Sequence, residues 1–389
     1  MQGLWQRTQL GLVTVLPSSR SASLSRNQYS VRIGNLREAF AARGLKGVFI
    51  VPGPNLRYYT GGNSLLLERP FFMAIPLEGD SHLVAPTLEA GPYRRCPLRI
   101  AVHNWSDAEG PSKAIRDAVA ELDLTGKWGL EGGMPYRYID QLLRFSQPQF
   151  ENADQTLQGV RAVKDIQEVR LLSRSAAILS ESFLNIPKML RAGTSEIELS
   201  KQIAHEIHSN GAESAPDVLV QSGPMAADGH HLPSTRKIRR NESIVIDATC
   251  TYGGYFADIT RTFIMGKDAT FEKLYQNLLD AQIVAVKTAR AGVTVGSVDN
   301  AARASLRDQN LDGYFIHRTG HGLGLEVHEM PYIVPQGTEL LQSSMAFTVE
   351  PGVYMQGKTG LRIEDDLITR KNGSVVLTRS VPKDYGWWN

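Results

Sequence analysis

The chain has 389 residues, 42% of them hydrophobic and 21% charged, with a formal net charge of +2. That length argues for two domains, and that mixture for an ordinary globular protein. The small net charge gives no electrostatic reason to expect nucleic acid or an anionic membrane surface as a partner, and no apolar run approaches the ~20 residues of a membrane span.

The first 37 residues contain five arginines, several serines and no Asp or Glu. That composition resembles a mitochondrial transit peptide, although LGLVTVL is too short for a signal-peptide core. Residues 1–30 are therefore set apart as a disordered or targeting-like extension. The two cysteines, Cys96 and Cys250, lie far apart and in no ligand-like spacing. They point to a reducing compartment, the cytoplasm by expectation, with the mitochondrion as the alternative.

From Val31 the chain alternates helical and extended patterns. RIGNLREAFAARG places Ile33, Leu36 and Phe40 on one helical face and stops at Gly44. GVFIVP reads as a buried strand, and FFMAIPL with SHLVAP as a hairpin across the turn EGD. LRIAVHNW, a helix SKAIRDAVAEL capped by Ser112, the strand KWGLEG and the helix YRYIDQLLRFS complete a smaller α/β domain, residues 31–155. It contains no phosphate-binding glycine loop, and the polar cluster QPQFENADQ marks its end.

Residues 160–385 form the second domain. It opens with two long helical stretches; the second, TSEIELSKQIAHEIHSNG, begins on a capping-box-like turn at Thr194 or Ser195. The strands DVLVQSG, SIVIDAT, YFADITRTFIMG, AFTVEPGVYM and LRIEDDLITR follow, with helices FEKLYQNLLDAQIVAVKTARAG and VDNAARASLRDQ between them. Antiparallel strands with helices grouped apart give an α+β fold class.

Asp247, Asp258, Glu350 and Glu364 all fall on or beside these apolar strands. Asp247 and Asp258 straddle a hairpin that, folding between Tyr252 and Gly253, sets them directly opposite each other. Glu350 and Glu364 straddle a fold centred on Gly357. Directly opposed side chains point to one face with Cβ atoms ~5 Å apart. Buried like charges so placed need a counter-charge, and divalent cations supply it most simply. His321, in HRTGHGLGLEVHEMP, adds an imidazole, and Gly320, Gly322 and Gly324 let backbone approach the metals. Such an oxygen-rich set favours Mn²⁺, Fe²⁺ or Co²⁺, admits Zn²⁺, and differs from thiolate structural zinc. His328 and His230 are further candidates for holding substrate. Spacing does not choose between His230 and its neighbour His231.

The ordered set D-x10-D, GHGLGLEVHEMP, VEPGVY and RIED resembles the pita-bread metallopeptidase family, whose members include prolidase (Xaa-Pro dipeptidase), aminopeptidase P and methionine aminopeptidase. The likeness runs from about Val163 to Thr378. The first half is similar to the N-terminal domain of the proline-specific members and of creatinase. The fold so implied is a pita-bread (creatinase/aminopeptidase-like) catalytic domain behind a smaller α/β domain.

The resemblance implies cleavage of the peptide bond before proline, in dipeptides first and longer peptides second. It implies two divalent ions as cofactors, Mn²⁺ first, with Co²⁺, Fe²⁺ or Zn²⁺ as alternatives. Asp247 and Glu364 would hold both ions, Asp258 one, and His321 with Glu350 the other. A hydroxide bridging the ions would attack, and Glu350 would shuttle its proton to the leaving amine. His230 and His328 would contact substrate near the proline, and Arg362 would orient the Glu364 carboxylate. The partners implied are a proline-containing peptide and a second copy of the chain in a homodimer. Two positions depart from the family pattern: Thr249 stands where glycine is usual, and Asp228-Gly229 where Leu-Pro is common. Neither removes a ligand, and both bear on pocket shape. The competing readings are a lyase or amidinohydrolase on the same scaffold, and a non-catalytic binding module.

Overall fold

A computed structural model describes residues 26–388; the targeting-like reading of the N-terminal stretch lies, up to residue 25, outside them. Helix α1 (Arg26–Ala41) starts ahead of Val31, so residues 26–30 are helical and Tyr29 is already buried. The predicted apolar face of Ile33, Leu36 and Phe40 is buried as well. There follow β1 (Gly47–Ile50), α2 (Pro54–Thr60), β2 (Phe72–Pro76), β3 (Ser81–Pro86), α3 (Gly91–Arg94), β4 (Ile100–Trp105), α4 (Ser112–Glu121), β5 (Lys127–Leu130), α5 (Tyr136–Leu143) and β6 (Gln149–Asn152).

These strands form one six-stranded sheet in the order β4-β3-β2-β1-β5-β6. Strand β2 is antiparallel to both neighbours, and the other pairings are parallel. One local expectation is corrected. Ser112 does not cap α4: Pro111 occupies the cap position, no side-chain cap bond forms, and Ser112 is the first helical residue. A proline ring presets φ for a helix start, so the helix begins without a hydroxyl cap. The polar segment read as a domain end contains β6, which pairs with β5 at the sheet edge. Polar residues are at home on an edge strand, where one side faces water.

Helix α6 (Asp154–Ala162) leads to α7 (Ile166–Met189) and α8 (Glu196–Ser209). Both long helices start on a reciprocal capping box, Asp165 with Glu168 and Ser195 with Glu198, so Ser195 is the residue that begins α8. The remaining elements are β7 (Val218–Ser222), β8 (Ser243–Tyr252), β9 (Tyr255–Ile264), α9 (Ala269–Thr288), α10 (Val295–Arg307), β10 (Gly320–Gly322), β11 (Glu329–Ile333), β12 (Ala346–Val349), β13 (Gly352–Met355), β14 (Thr359–Arg362), β15 (Asp365–Arg370) and β16 (Gly373–Val376). They make a three-stranded sheet β7-β8-β9, a five-stranded sheet β11-β10-β12-β15-β16 and the hairpin β13-β14. Every pairing in these sheets is antiparallel.

The apolar faces of α7 to α10 pack on the strands through residues such as Phe183, Ile203, Leu278, Ile246 and Phe347, all fully buried. Each such side chain contributes about 1.5–3 kcal/mol relative to an exposed one. A second apolar cluster joins Leu36, Phe40 and Leu56 of the first sheet's layer to Leu172, Tyr255 and Leu323 of the second. The strands beneath the candidate site are therefore held from both sides. Among the described residues, no helix is long and apolar enough to cross a membrane.

Candidate functional site

All five sequence-predicted ligand residues come from strands or strand ends of the second half. Asp247 lies mid-way along β8 and Asp258 along β9. His321 is the middle residue of β10, Glu350 directly follows β12, and Glu364 stands between β14 and β15.

The β8–β9 register differs from the expected one. Asp247 pairs with Thr260 and Asp258 with Thr249, so the two aspartates are diagonal neighbours on one face rather than directly opposed. Asp247 also sits within its strand rather than at the end. The cause is the turn. Gly253 and Gly254 both adopt positive φ, 61° and 81°, and together form the two central residues of the hairpin. That requirement for two left-handed residues is what a Gly-Gly pair satisfies. It shifts the pairing so that Tyr252 meets Tyr255. The second hairpin keeps the expected register: Gly352 meets Arg362, and further along Val349 meets Asp365. Glu350 and Glu364 face each other between these two ladders.

The side chains converge. His321 Nε2 lies 3.3 Å from Glu350 Oε1 and 3.9 Å from Asp258 Oδ2. Ligand atoms of Asp258, His321 and Glu364 all lie within 4.8 Å of one another. The Thr260 hydroxyl donates to Glu364 Oε2 at 2.6 Å, and Thr348 donates to Glu350 Oε1 at 3.3 Å. Asp258 Oδ1 and Glu364 Oε1 are buried without a hydrogen-bond partner. Buried polar atoms are nearly always paired, so two unpartnered carboxylate oxygens within one buried cluster fit a bound cation.

Titration directions agree. Burial, then Glu364 and Asp247, drive the Asp258 carboxyl well above the usual range. Burial, then Glu350 and Asp247, do the same to Glu364. Burial pushes Glu350 up to about 7, with Arg362 opposing. Burial, then His328, push His321 down to about 3, which leaves a neutral imidazole with a free lone pair. Ionised carboxylates crowd each other here, and a divalent ion reverses that penalty. The donor set of four carboxylates and one neutral imidazole fits a hard or borderline divalent cation.

Arg362 differs from its expected role. Its Nη2 donates to Asp247 Oδ2 at 2.5 Å, not to Glu364. It reaches Glu364 only through Thr260, whose Oγ1 accepts from Arg362 Nε at 3.1 Å. A fork of fixed N–H groups can hold several acceptors in one plane, and here it spans two strands.

The histidines also separate. His328 packs edge-on against His321, ring centroids 4.2 Å apart, and stays exposed on its other side. His230 is exposed and close enough to shift both His328 and His317 downward. His231 turns the other way, 3.5 Å from the Glu196 carboxylate. His230 therefore lies on the side of His328 and His317, and His231 on the side of Glu196.

The glycines of the His321 segment have a packing role. A Cβ on Gly320 would meet the Thr348 carbonyl at 1.9 Å, and one on Gly322 the Met330 carbonyl at 2.2 Å. Gly324 is crowded by the Glu329 carboxylate. Gly320 and Gly322 let strands close on one another, which sets His321 in place, and Gly324 makes room for the Glu329 side chain.

Sequence reasoning missed His317 and Tyr354. His317 Nδ1 lies 2.7 Å from the Arg318 carbonyl and its Nε2 2.9 Å from the Tyr354 hydroxyl. Tyr354 in turn accepts from Arg362 Nη1 at 2.7 Å. Burial and Arg362 push His317 down to about 4, so it is neutral, donating through Nδ1 and accepting from Tyr354. A chain His317–Tyr354–Arg362–Asp247 results. Tyr354 stands inside VEPGVY, four residues past Glu350, and that fixed spacing was the available signal. Thr249, the departure noted above, faces Asp258 with a buried hydroxyl that has no partner.

Comparison with known proteins agrees with this architecture. Residues 170–371 match metallopeptidase family M24, and residues 32–163 match the creatinase/prolidase N-terminal domain. The chain is 34% identical to a probable dipeptidase PepE of Mycobacterium tuberculosis over 367 residues, 90% of this chain and 94% of that protein. Among solved structures, dipeptidase PepE from Mycobacterium ulcerans superposes with a TM-score of 0.86 at 33% identity, covering 93% of this chain and 98% of that one. A recombinant prolidase from Thermococcus sibiricus gives 0.86 at 34% identity, covering 92% and 98%.

Proposed function

This chain belongs to metallopeptidase family M24 and is a metal-dependent peptidase, and from that premise we propose that it hydrolyses the bond before proline, preferring Xaa-Pro dipeptides, with two divalent ions held between its paired carboxylates. The observation that carries this reading is the convergence of Asp258, His321 and Glu364 around orphaned, buried carboxylate oxygens. A homologue of known structure named prolidase supports the substrate class.

In this reading Asp247, Asp258, His321, Glu350 and Glu364 hold the ions. When bound, such a pair lowers the pKa of a water and polarises the scissile carbonyl. Manganese is the first choice for this oxygen-rich set. The net change is addition of water across the amide: hydroxyl to carbon, proton to the proline nitrogen, with the C–N bond broken. Glu350 handles that proton. A carboxylate fixed beside the ions can accept a proton and pass it on within hydrogen-bond reach. Thr348 donates to Oε1, which leaves Oε2 for the transfer. Arg362 fixes Asp247 and, through Thr260, Glu364, so that neither rotates as charge changes. His230 and His328, exposed at the mouth, hold the substrate beside the proline.

A peptide series on metal-reconstituted protein tests the proposal. Ala-Pro should be cleaved faster than Ala-Pro-Ala, and Ala-Ala should resist. Equal cleavage of Ala-Ala would remove the proline requirement.

A further inference from the structure

A second cluster of ligand-type side chains lies in the other half of the chain, on β3, β4 and the end of α4. We propose that His82, His103 and Glu121 form a binding site for a borderline divalent cation of the zinc class, separate from the catalytic carboxylates.

Strands β3 and β4 run parallel, with His82 beside Ala101 and Val84 beside His103. The two histidines are therefore diagonal neighbours on one face. Their rings stack, centroids 5.4 Å apart and planes 15° from parallel. His82 Nδ1 and His103 Nε2 lie 3.2 Å apart. Two nitrogens bound tetrahedrally to one zinc, each ~2.0–2.1 Å from it, stand ~3.3–3.4 Å from one another. The spacing already matches. Glu121, the last residue of α4, places Oε2 3.7 Å from His82 Nδ1. All three ligand atoms lie within 4.8 Å of one another.

The surroundings suit a cation. His82 is 7% exposed, whereas the Glu121 side chain is 57% exposed and free to close on an ion. The cluster borders a cleft of about 430 Å³ lined by Glu78, Asp80, Glu121 and Asp123, with Lys46 the cation among them. Burial keeps both imidazoles neutral, the form that ligates. Two imidazoles and one carboxylate select zinc-class ions over calcium or magnesium, and leave a fourth position toward the cleft for water. An ion there would pin the end of α4 to β3 and β4. Without it, one imidazole N–H donates to the other ring.

Equilibrium dialysis of the full-length protein against micromolar Zn²⁺, with elemental analysis, tests this. Wild type should hold one more zinc per chain than His103→Gln, while both cleave Ala-Pro at the same rate. Glu121→Gln, a change at an exposed position that leaves the fold intact, should weaken that extra zinc at least tenfold. Zinc should raise the Tm of wild type more than that of either variant. Equal zinc in wild type and His103→Gln would overturn the site and leave an imidazole–imidazole hydrogen bond only. Unchanged affinity in Glu121→Gln would equally overturn the three-ligand assignment, including where His103→Gln fails to fold.

Discussion

Arg362 holds Asp247 at 2.5 Å while donating to Tyr354 and Thr260, so one guanidinium ties β8, β9 and the β13–β14 hairpin together beneath the site. Its Nη1 bond to Tyr354 and Tyr354's bond to His317 extend that bracing to the segment before β10. Lysine would keep the charge and lose the fork. Arg362→Lys should therefore lower divalent-ion affinity by about 10–100-fold, as read by titration of chelator-treated protein. Saturating metal should restore much of kcat. A purely structural role would instead lower the Tm and leave metal affinity unchanged.

Glu350→Gln keeps the size of the side chain and removes its proton-carrying capacity. Ala-Pro hydrolysis should fall by ~10²–10⁴-fold, with an unchanged circular dichroism spectrum. Turnover within a few-fold of wild type would assign the proton to another group.

The same carboxyl makes a stability prediction for metal-free protein. Its folded value is raised from 4.5 to about 7, and Asp258 and Glu364 move in the same direction. Below pH 4.5 folded and unfolded chains both carry the proton, and its stabilising effect is fully present. As pH rises through about 7 the unfolded chain has already ionised while the folded one is forced to, so stability is lost. In chelator, urea unfolding should show Glu350→Gln gaining on wild type between pH 5 and pH 8 by on the order of 1–3 kcal/mol. A gap that does not change with pH would contradict this.

Much of the site was legible because strand periodicity and register are local. Glu350 and Glu364 face each other as their numbers and Gly357 imply, since a single ladder register continues across both halves of that hairpin. The Asp247–Asp258 pairing is displaced by two residues because Gly253 and Gly254 act as a two-residue turn, which a midpoint between Tyr252 and Gly253 overlooks. The distant partners of Arg362 were not legible. Asp247 and Thr260 reach it across more than a hundred residues, and only the packed sheets bring them together. For the same reason the partners of Asp365 and Asp366, next to Glu364 in sequence, were hidden. Asp365 is spent on Arg261 and Lys383, and Asp366 accepts the Asp258 backbone N–H.

A buried ion network joins the two halves of the chain near His328. Arg161 donates to Asn55 at 2.7 Å and to Glu329 at 3.0 Å, contacts Glu326, and shares Glu329 with Lys164. Arg161 and Glu329 are each 1% exposed. Removing one partner leaves a buried carboxylate short of charge, so Arg161→Ala should destabilise by about 3–5 kcal/mol in chemical denaturation. A loss below about 1 kcal/mol, the scale of an exposed pair, would show that the network is solvated in solution.

The central claim is that the paired carboxylates share a pair of cations that hydrolysis requires. Metal content per chain, measured after Mn²⁺ titration of chelator-treated wild type and of the Asp258→Asn/Glu364→Gln double variant, tests it most directly. The double variant should bind two fewer ions per chain and leave Ala-Pro intact, while wild type regains hydrolysis as the second ion binds. Equal Mn²⁺ in the two proteins, or Ala-Pro cleavage by fully chelated wild type, would contradict it.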